Sequence, residues 1–311
     1  MPAPPPPRLS AESYSRHLGD VEFWAPYVRT VLERHGLGDR PLESGFVGTF
    51  PTFLAGDVVV KLFGWFHSWR SCHASELAAQ EMLARRPEVP VPTLLGHGRL
   101  YDGPDGWPYL ITTRMAGQAW RDVRLDDAAR VRVAGELGTS MRVVHDIAPL
   151  EGPGHPPALL ESRDRLTVIR AAALDRHRTW RTLPAALVDQ IPAYLCPPAP
   201  ERFVHADLTA DHIFVKDGSL VGVIDWGDAT LTDPCYELAA LHLEAFGLDK
   251  DLLRAFLDGY GWKPDEGFVR RAMSAALTHE FDVFSTHSER LPAESFTSLA
   301  DLATAIWDVG T

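Results

Sequence analysis

The chain has 311 residues, 45% apolar and 23% charged, which excludes a disordered protein and leaves material for one large two-lobed domain or two ordinary ones. A net charge of −12 with no Lys/Arg run excludes a phosphate-backbone binder, so no nucleic-acid partner is expected; it favours a cationic partner, although many soluble proteins are acidic for solubility alone. No stretch approaches the ~20 consecutive apolar residues of a membrane helix, and three scattered cysteines (Cys72, Cys196, Cys235) suit a reducing cytosol better than a disulfide framework.

The N-terminal MPAPPPPRLS lacks an apolar h-region and is expected to be a frayed leader, not a secretory signal. Over residues 10–37 an apolar stripe (Phe23, Tyr27, Val31) ending at Gly36 and Gly38 predicts one or two amphipathic helices. Short β-like pieces follow at 46–47 and 57–63, the second β-branched and closed by Gly64. Residues 71–85 are rich in Ala, Leu and Glu and read as a helix ending before Pro87, with PEVPVP as an extended connector. A strand pair, 93–100 and 109–113, brackets the turn YDGPDG, and Met115-Ala-Gly117 reads as a hinge. Beyond it Val133, Leu137, Met141 and Val144 recur at helix spacing within 126–147, and a second helical region covers 158–195. Short strands at 203–204 and 213–215 precede a third at 220–225; from Pro234 onward the chain reads as mostly helical. The expected fold is α+β and bilobal: a small β-rich N-terminal lobe over 1–115 and a large α-helical C-terminal lobe over 116–311.

The strongest chemical signal is HADLTADHIFV (205–215) followed by LVGVIDWGDATLTDP (220–234). Asp207 falls in a tight loop after one strand, and Asp225 at the end of another. Phosphoryl transfer needs such a pair, one carboxylate to take the proton of an attacking hydroxyl and one to hold a metal on the nucleotide phosphates. Either string alone could arise by chance in an α/β protein; the two in order at this separation are more specific.

These residues resemble the aminoglycoside phosphotransferase family, with its pattern H-G-D-x-x-x-x-N, then I-D-W, then D-P. Among its members the hygromycin B enzymes acting on the 7″-hydroxyl look most similar, through FWAPYVRTVLERHGL, VVKLFG, PVPTLLGHG, WPYLITTRMAG, RFVHADL, LHLEAFGLDKDLLRAFLDGYGWK and HEFDVF. The resemblance spans nearly the whole chain. It implies a protein-kinase-like fold, ATP or GTP as donor, Mg2+ and an aminoglycoside acceptor; a monomeric, cytoplasmic enzyme is expected. Residue by residue it implies Asp207 as catalytic base, Asp225 as metal ligand and Lys61 as the strand lysine of the phosphates, partnered by Glu76 or by its competitor Glu81. Thr113 and Met115, by the hinge, complete the implied nucleotide set.

Two positions depart from the family pattern. His212 stands where an asparagine metal ligand is usual and is the second candidate metal ligand beside Asp225; it could instead contact phosphate, Asp211 could take over, or the site could have lost a metal. His205-Ala206 replaces His-Gly, which matters only if φ is positive there. There is also no GxGxxG: SGFVGTFPT, with Gly45 and Gly48, could cover phosphates or be an ordinary hairpin. Asp228, Glu237, Glu244, Glu280 and Asp282 are the expected acceptor contacts, each of which could equally be a solvated charge or a helix cap. Asp233 is expected to hold its loop, and Trp226, Trp262, Phe281, Phe284 and Trp307 to be core. His242, His279 and His287 have no metal-type spacing. A kinase with another small hydroxyl acceptor and a nucleotide-binding pseudokinase, motivated by His212, stay as alternatives.

Overall fold

The computed structural model describes residues 4–7, 9–46, 48–64, 68–103, 105–147, 156–197, 200–286, 290–291 and 293–310. It divides into two compact units, residues 1–85 with 91–115, and residues 86–90 with 116–311.

The first unit carries α1 (Ala11–His17), α2 (Val21–Arg34), β1 (Leu42–Ser44), β2 (Thr52–Ala55), β3 (Val58–Leu62), α3 (Trp69–Leu83), β4 (Leu94–Arg99) and β5 (Pro108–Thr113). The strands form an antiparallel sheet in the order β1-β2-β3-β5-β4. Strand alternation explains its two faces. Val58, Val60 and Leu62 of β3 join Phe53 and Ile111 against Trp24, Val28, Val31 and Leu32 of α2. On the other face Phe63, Phe50 and Leu110 pack on Trp69 and Cys72 of α3. Lys61 therefore projects toward α3. Helix α2 starts at Asp20, whose carboxylate accepts the Phe23 N–H at 3.0 Å. The leader is not frayed where it is described: Pro6 is buried, and the Pro4 carbonyl accepts the Tyr101 hydroxyl at 3.1 Å. The β-piece expected at 46–47 is also absent at Phe46, which lies outside any strand; Val47 is outside the described residues.

The second unit carries β6 (Gln118–Ala119), α4 (Asp127–His145), α5 (Pro157–Ala171), α6 (Ala173–Trp180), α7 (Ala185–Val188), α8 (Ile191–Tyr194), β7 (Arg202–Val204), β8 (Ile213–Lys216), β9 (Ser219–Val223), β10 (Thr230–Thr232), α9 (Cys235–Ala240), α10 (Lys250–Tyr260), α11 (Phe268–Leu277) and α12 (Leu299–Trp307). Val133, Leu137, Met141 and Val144 of α4 are fully buried, as the helix-spaced stripe predicts. Asp217 and Gly218 both take positive φ, the conformation a two-residue Asp-Gly hairpin demands, and so fold β8 back on β9. That hairpin brings the segment after Asp207 beside the strand leading to Asp225. Gly117 has φ +81°, and a Cβ there would lie 2.2 Å from the Val215 carbonyl, so only glycine lets β6 join β8.

Candidate active site

Asp207 and Asp225 sit on two loops that are clamped together by backbone and imidazole bonds. The His212 carbonyl accepts the Ile224 N–H at 3.0 Å. His205 accepts the Asp207 N–H on Nδ1 at 3.2 Å, so its Nε2 must carry the proton it donates to the Ile224 carbonyl at 2.9 Å. Burial pushes the His205 pKa down to about 4, keeping it a neutral clamp. Trp226, fully buried, lies edge-on to His205 at 4.5 Å and stacks on Phe203, plugging the floor beneath both loops.

Ala206 has φ +70°, so the condition attached to His-Ala is met: an alanine occupies a left-handed position that favours glycine. The loop is held there from behind. Glu237, 1% exposed, accepts the His205 N–H at 2.7 Å and the Ala206 N–H at 2.8 Å. His145 lies 3.5 Å from the same carboxylate and is itself steadied by the Tyr260 hydroxyl at 3.0 Å. Burial pushes the Glu237 pKa up, but the His145 imidazole and the His205 backbone N–H outweigh it and hold the carboxylate below its ordinary range. Glu237 is thus a structural anchor, and its expected place among acceptor contacts is corrected: both oxygens are used inside the core.

His212 sits between the two aspartates. Its Nδ1 is 2.7 Å from the Asp207 carbonyl and 3.5 Å from Asp207 Oδ2, while Nε2 is 3.9 Å from Asp225 Oδ2. Asp211 does not stand in for it, because its carboxylate pairs with Arg121. Among the described residues no three His, Cys, Asp or Glu side chains form a ready metal cage. One oxygen ligand from Asp225, completed by phosphate and water, suits Mg2+; the imidazole of His212 does not. His242 and His279 are separately buried, bonded to the Ile306 and Ala206 carbonyls, and His287 lies outside the described residues.

Burial pushes the Asp207 carboxyl up, His212 opposes it, and Asp225, Glu244 and Glu237 add to it, leaving the pKa at about 6. Asp228 is raised to about 7 by burial and then by Asp207, Asp225 and Glu280, against Arg165. The carboxyls titrate as a group; near neutrality Asp207 is ionised and Asp228 shares a proton. Glu244 lies in a π-helical turn, Leu241–Ala245, and accepts the Ala210 N–H of the loop that carries Asp207 at 2.8 Å. Glu280 pairs with Arg165 at 2.8 Å, and Asp282 accepts the Thr182 hydroxyl. Arg165, Asp228, Glu280 and Phe281 line one small pocket with Ala206. Phe281 is 45% exposed, which corrects its expected place in the core; Trp226, Phe284 and Trp307 are fully buried. Asp233 Oδ1 accepts the Cys235 N–H at 2.8 Å and so fixes the start of α9. A pocket of 1230 Å³ lined by Tyr194, Phe268, Arg270 and Trp307 shares none of these residues.

In the first unit Lys61 Nζ is 2.7 Å from Glu76 Oε2, both side chains nine-tenths buried, with the rings of Phe50 and Phe63 at 5.8 and 5.3 Å. Glu81 is exposed, so Glu76 is the partner. Gly45 closes the β1–β2 hairpin, donating to the Thr52 carbonyl at 2.8 Å, where a Cβ would lie 2.8 Å from that oxygen. Gly48 donates to the Phe46 carbonyl. The Thr113 hydroxyl accepts the Thr93 N–H at 2.9 Å, so it is engaged at the sheet edge; Met115, half-buried, ends the unit.

Residues 50–274 match the family model of the Phosphotransferase enzyme family, which is most of the chain. The chain belongs to that family. An aminoglycoside 3'-phosphotransferase of Enterococcus faecalis is 26% identical to this phosphotransferase over 192 residues, 59% of this chain and 71% of that one. A lysine-specific demethylase JMJ21 of Arabidopsis thaliana is 26% identical over 206 residues, 50% of this chain but only 21% of that protein's length. Among solved structures, aminoglycoside 2'-phosphotransferase-IIIa in its GDP complex superposes with a TM-score of 0.65 at 20% identity, covering 91% of this chain and 95% of that one. Macrolide 2'-phosphotransferase MphH from Brachybacterium faecium gives 0.56 at 19%, covering 90% and 98%. A thermostable mutant of aminoglycoside phosphotransferase APH(4)-Ia, bound to ADP and hygromycin B, gives 0.55 at 18%, covering 91% and 98%. At these identities the likeness is one of fold, and the hygromycin B enzyme does not stand out from the others.

Proposed function

We propose that this phosphotransferase is a cytoplasmic small-molecule kinase that moves the γ-phosphate of ATP or GTP to a hydroxyl of an aminoglycoside, hygromycin B foremost, and so confers resistance. The observation that carries the reading is the pair Asp207 and Asp225, on clamped loops with His212 between them. Asp207, ionised near neutrality yet more basic than an ordinary carboxylate, would orient and deprotonate the acceptor hydroxyl for in-line attack. Lys61, steadied by Glu76, would bind the nucleotide phosphates. Asp225 would hold the divalent ion, which when bound neutralises charge on those phosphates. Asp228 and Glu244 would bind ammonium groups of the acceptor. The nucleotides and aminoglycosides held by structures of the same fold support this assignment.

A second reading, a less charged acceptor such as a macrolide, is favoured by Arg165 neutralising Glu280 and by the exposed Phe281 ring beside them. Incubation with labelled ATP or GTP and a panel of aminoglycosides and macrolides separates the two. Label should enter an aminoglycoside, and a sensitive bacterium expressing the protein should grow on it. Label entering only macrolides would favour the second reading, and label entering none would refute both.

A further inference from the structure

We infer that His279 is a positioning residue for Asp207, gripping the Ala206–Asp207 peptide and tying it to the Glu280–Phe281 segment of the neighbouring pocket. The inference rests on the phosphotransferase reading above, since it concerns how Asp207 is held for the transfer step.

The two ring nitrogens of His279 have opposite duties. Nδ1 accepts the Phe281 N–H at 3.2 Å, so in the neutral ring the proton sits on Nε2, which donates it to the Ala206 carbonyl at 3.3 Å. His279 is 1% exposed, and burial pushes its pKa down to about 4, so the ring stays neutral and keeps this tautomer. Tyr236 stacks on it with centroids 4.4 Å apart and planes inclined by 21°, which fixes the direction in which Nε2 points.

The Ala206 carbonyl belongs to the same planar peptide group as the Asp207 N–H, which His205 Nδ1 accepts at 3.2 Å. Two imidazoles therefore hold one rigid unit by opposite edges, and the plane cannot turn without breaking a bond. Its rotation is the motion that would swing Asp207, because the plane ends at the Asp207 Cα. Glu237 holds only the N–H groups of His205 and Ala206, upstream of this plane. On its other side His279 leads directly into a pocket wall. The Tyr236 hydroxyl accepts the Glu280 N–H at 2.9 Å, and Arg176 donates to the His279 carbonyl at 3.1 Å and to the Glu280 carbonyl. Glu280 and Phe281 line that pocket together with Ala206 and Asp228. Backbone bonded in this way moves as one piece, so a group seated against Glu280 or Phe281 is placed relative to Asp207 through His279.

The test compares three substitutions. In His279→Gln the amide reaches as far as Nε2 and can still donate; in His279→Asn the shorter amide falls short of the Ala206 carbonyl; His279→Phe keeps the stack on Tyr236 and removes the donor. Steady-state kcat and acceptor KM are measured with labelled ATP or GTP and an acceptor that wild type phosphorylates, and nucleotide affinity by calorimetric titration, all well below each chain's Tm. His279→Gln should keep kcat within about threefold of wild type, whereas His279→Asn and His279→Phe should lose about tenfold or more, with nucleotide affinity unchanged in all three. A histidine that only filled the core would lower Tm and leave kcat per folded molecule alike in every chain. Should His279→Phe fail to fold, the comparison of His279→Gln with His279→Asn decides. Equal kcat in those two, or a loss of kcat matched by an equal loss of nucleotide affinity, overturns the inference alone. No transfer by wild type to any aminoglycoside or macrolide refutes the phosphotransferase reading, and the inference with it.

Discussion

Glu237→Gln isolates the anchor behind the Asp207 loop with almost no change of shape. The carboxylate accepts the His205 and Ala206 N–H groups at 2.7 and 2.8 Å in a fully buried setting. Glutamine has one oxygen, so its amide NH2 must face the second backbone N–H, donor against donor. A hydrogen bond to a charged acceptor contributes ~1.5–3 kcal/mol, and a buried donor left unmet costs ~1–3 kcal/mol, so a net loss of about 2–4 kcal/mol follows once the loop relaxes. For a unit of about 200 residues that is a fall in Tm of roughly 5–15 °C. The relaxed loop also displaces Asp207, and a shift of about 1 Å at a reacting group costs roughly 100-fold in rate, so kcat should fall far more than KM rises. Because the folded Glu237 pKa is depressed, its stabilisation is present above the ordinary carboxylate range and is lost as pH falls through it. Calorimetry at pH 7 and pH 4 with steady-state kinetics is the assay. An unchanged Tm together with an unchanged kcat would refute the reasoning.

Asp228→Asn should raise Tm at pH 8 by several degrees and leave it nearly unchanged at pH 4. The folded pKa of about 7 lies above the unfolded value, so the penalty of charging the carboxyl appears as pH rises through that interval; equal shifts at both pH values would contradict this. At Ala206, glycine relieves ~1–2 kcal/mol of left-handed strain but loses ~0.5–1 kcal/mol in chain entropy and ~0.8 kcal/mol of methyl burial. Ala206→Gly is therefore expected within about 1 kcal/mol of wild type by chemical denaturation, and Ala206→Val to cost more than about 2 kcal/mol; the reverse order would remove the strain argument. Lys61→Met removes the cation 2.7 Å from Glu76 and should weaken nucleotide binding by calorimetric titration at least tenfold, whereas undiminished affinity would detach Lys61 from the phosphates.

Much of this was legible in the sequence. The VVVKL strand, the Ala-rich helix carrying Glu76, the Asp-Gly turn between β8 and β9 and the buried stripe of α4 each announce themselves through local chemistry. Strands β1 and β2 do not: LES and TFLA are too short to show alternation, and tertiary pairing forms them. The inward turn of Glu237 was readable in principle, since a lone carboxylate within CYELAA lies amid apolar neighbours that are all buried. Arg165 gave no such signal. A charged residue on α5 becomes part of the site only because its helix packs beside Glu280 and Asp228. The positive φ of Ala206 is likewise set by bonds to a residue 31 positions away, which no local pattern records.

The most direct test of the account is phosphate transfer by wild type and Asp207→Ala, followed by ³¹P NMR of the acceptor, with nucleotide affinity measured on the same samples. Transfer to an aminoglycoside hydroxyl that disappears in the variant while nucleotide still binds is the predicted result, with wild-type kcat/KM falling as pH drops below about 6. Turnover that survives the loss of Asp207 would contradict it.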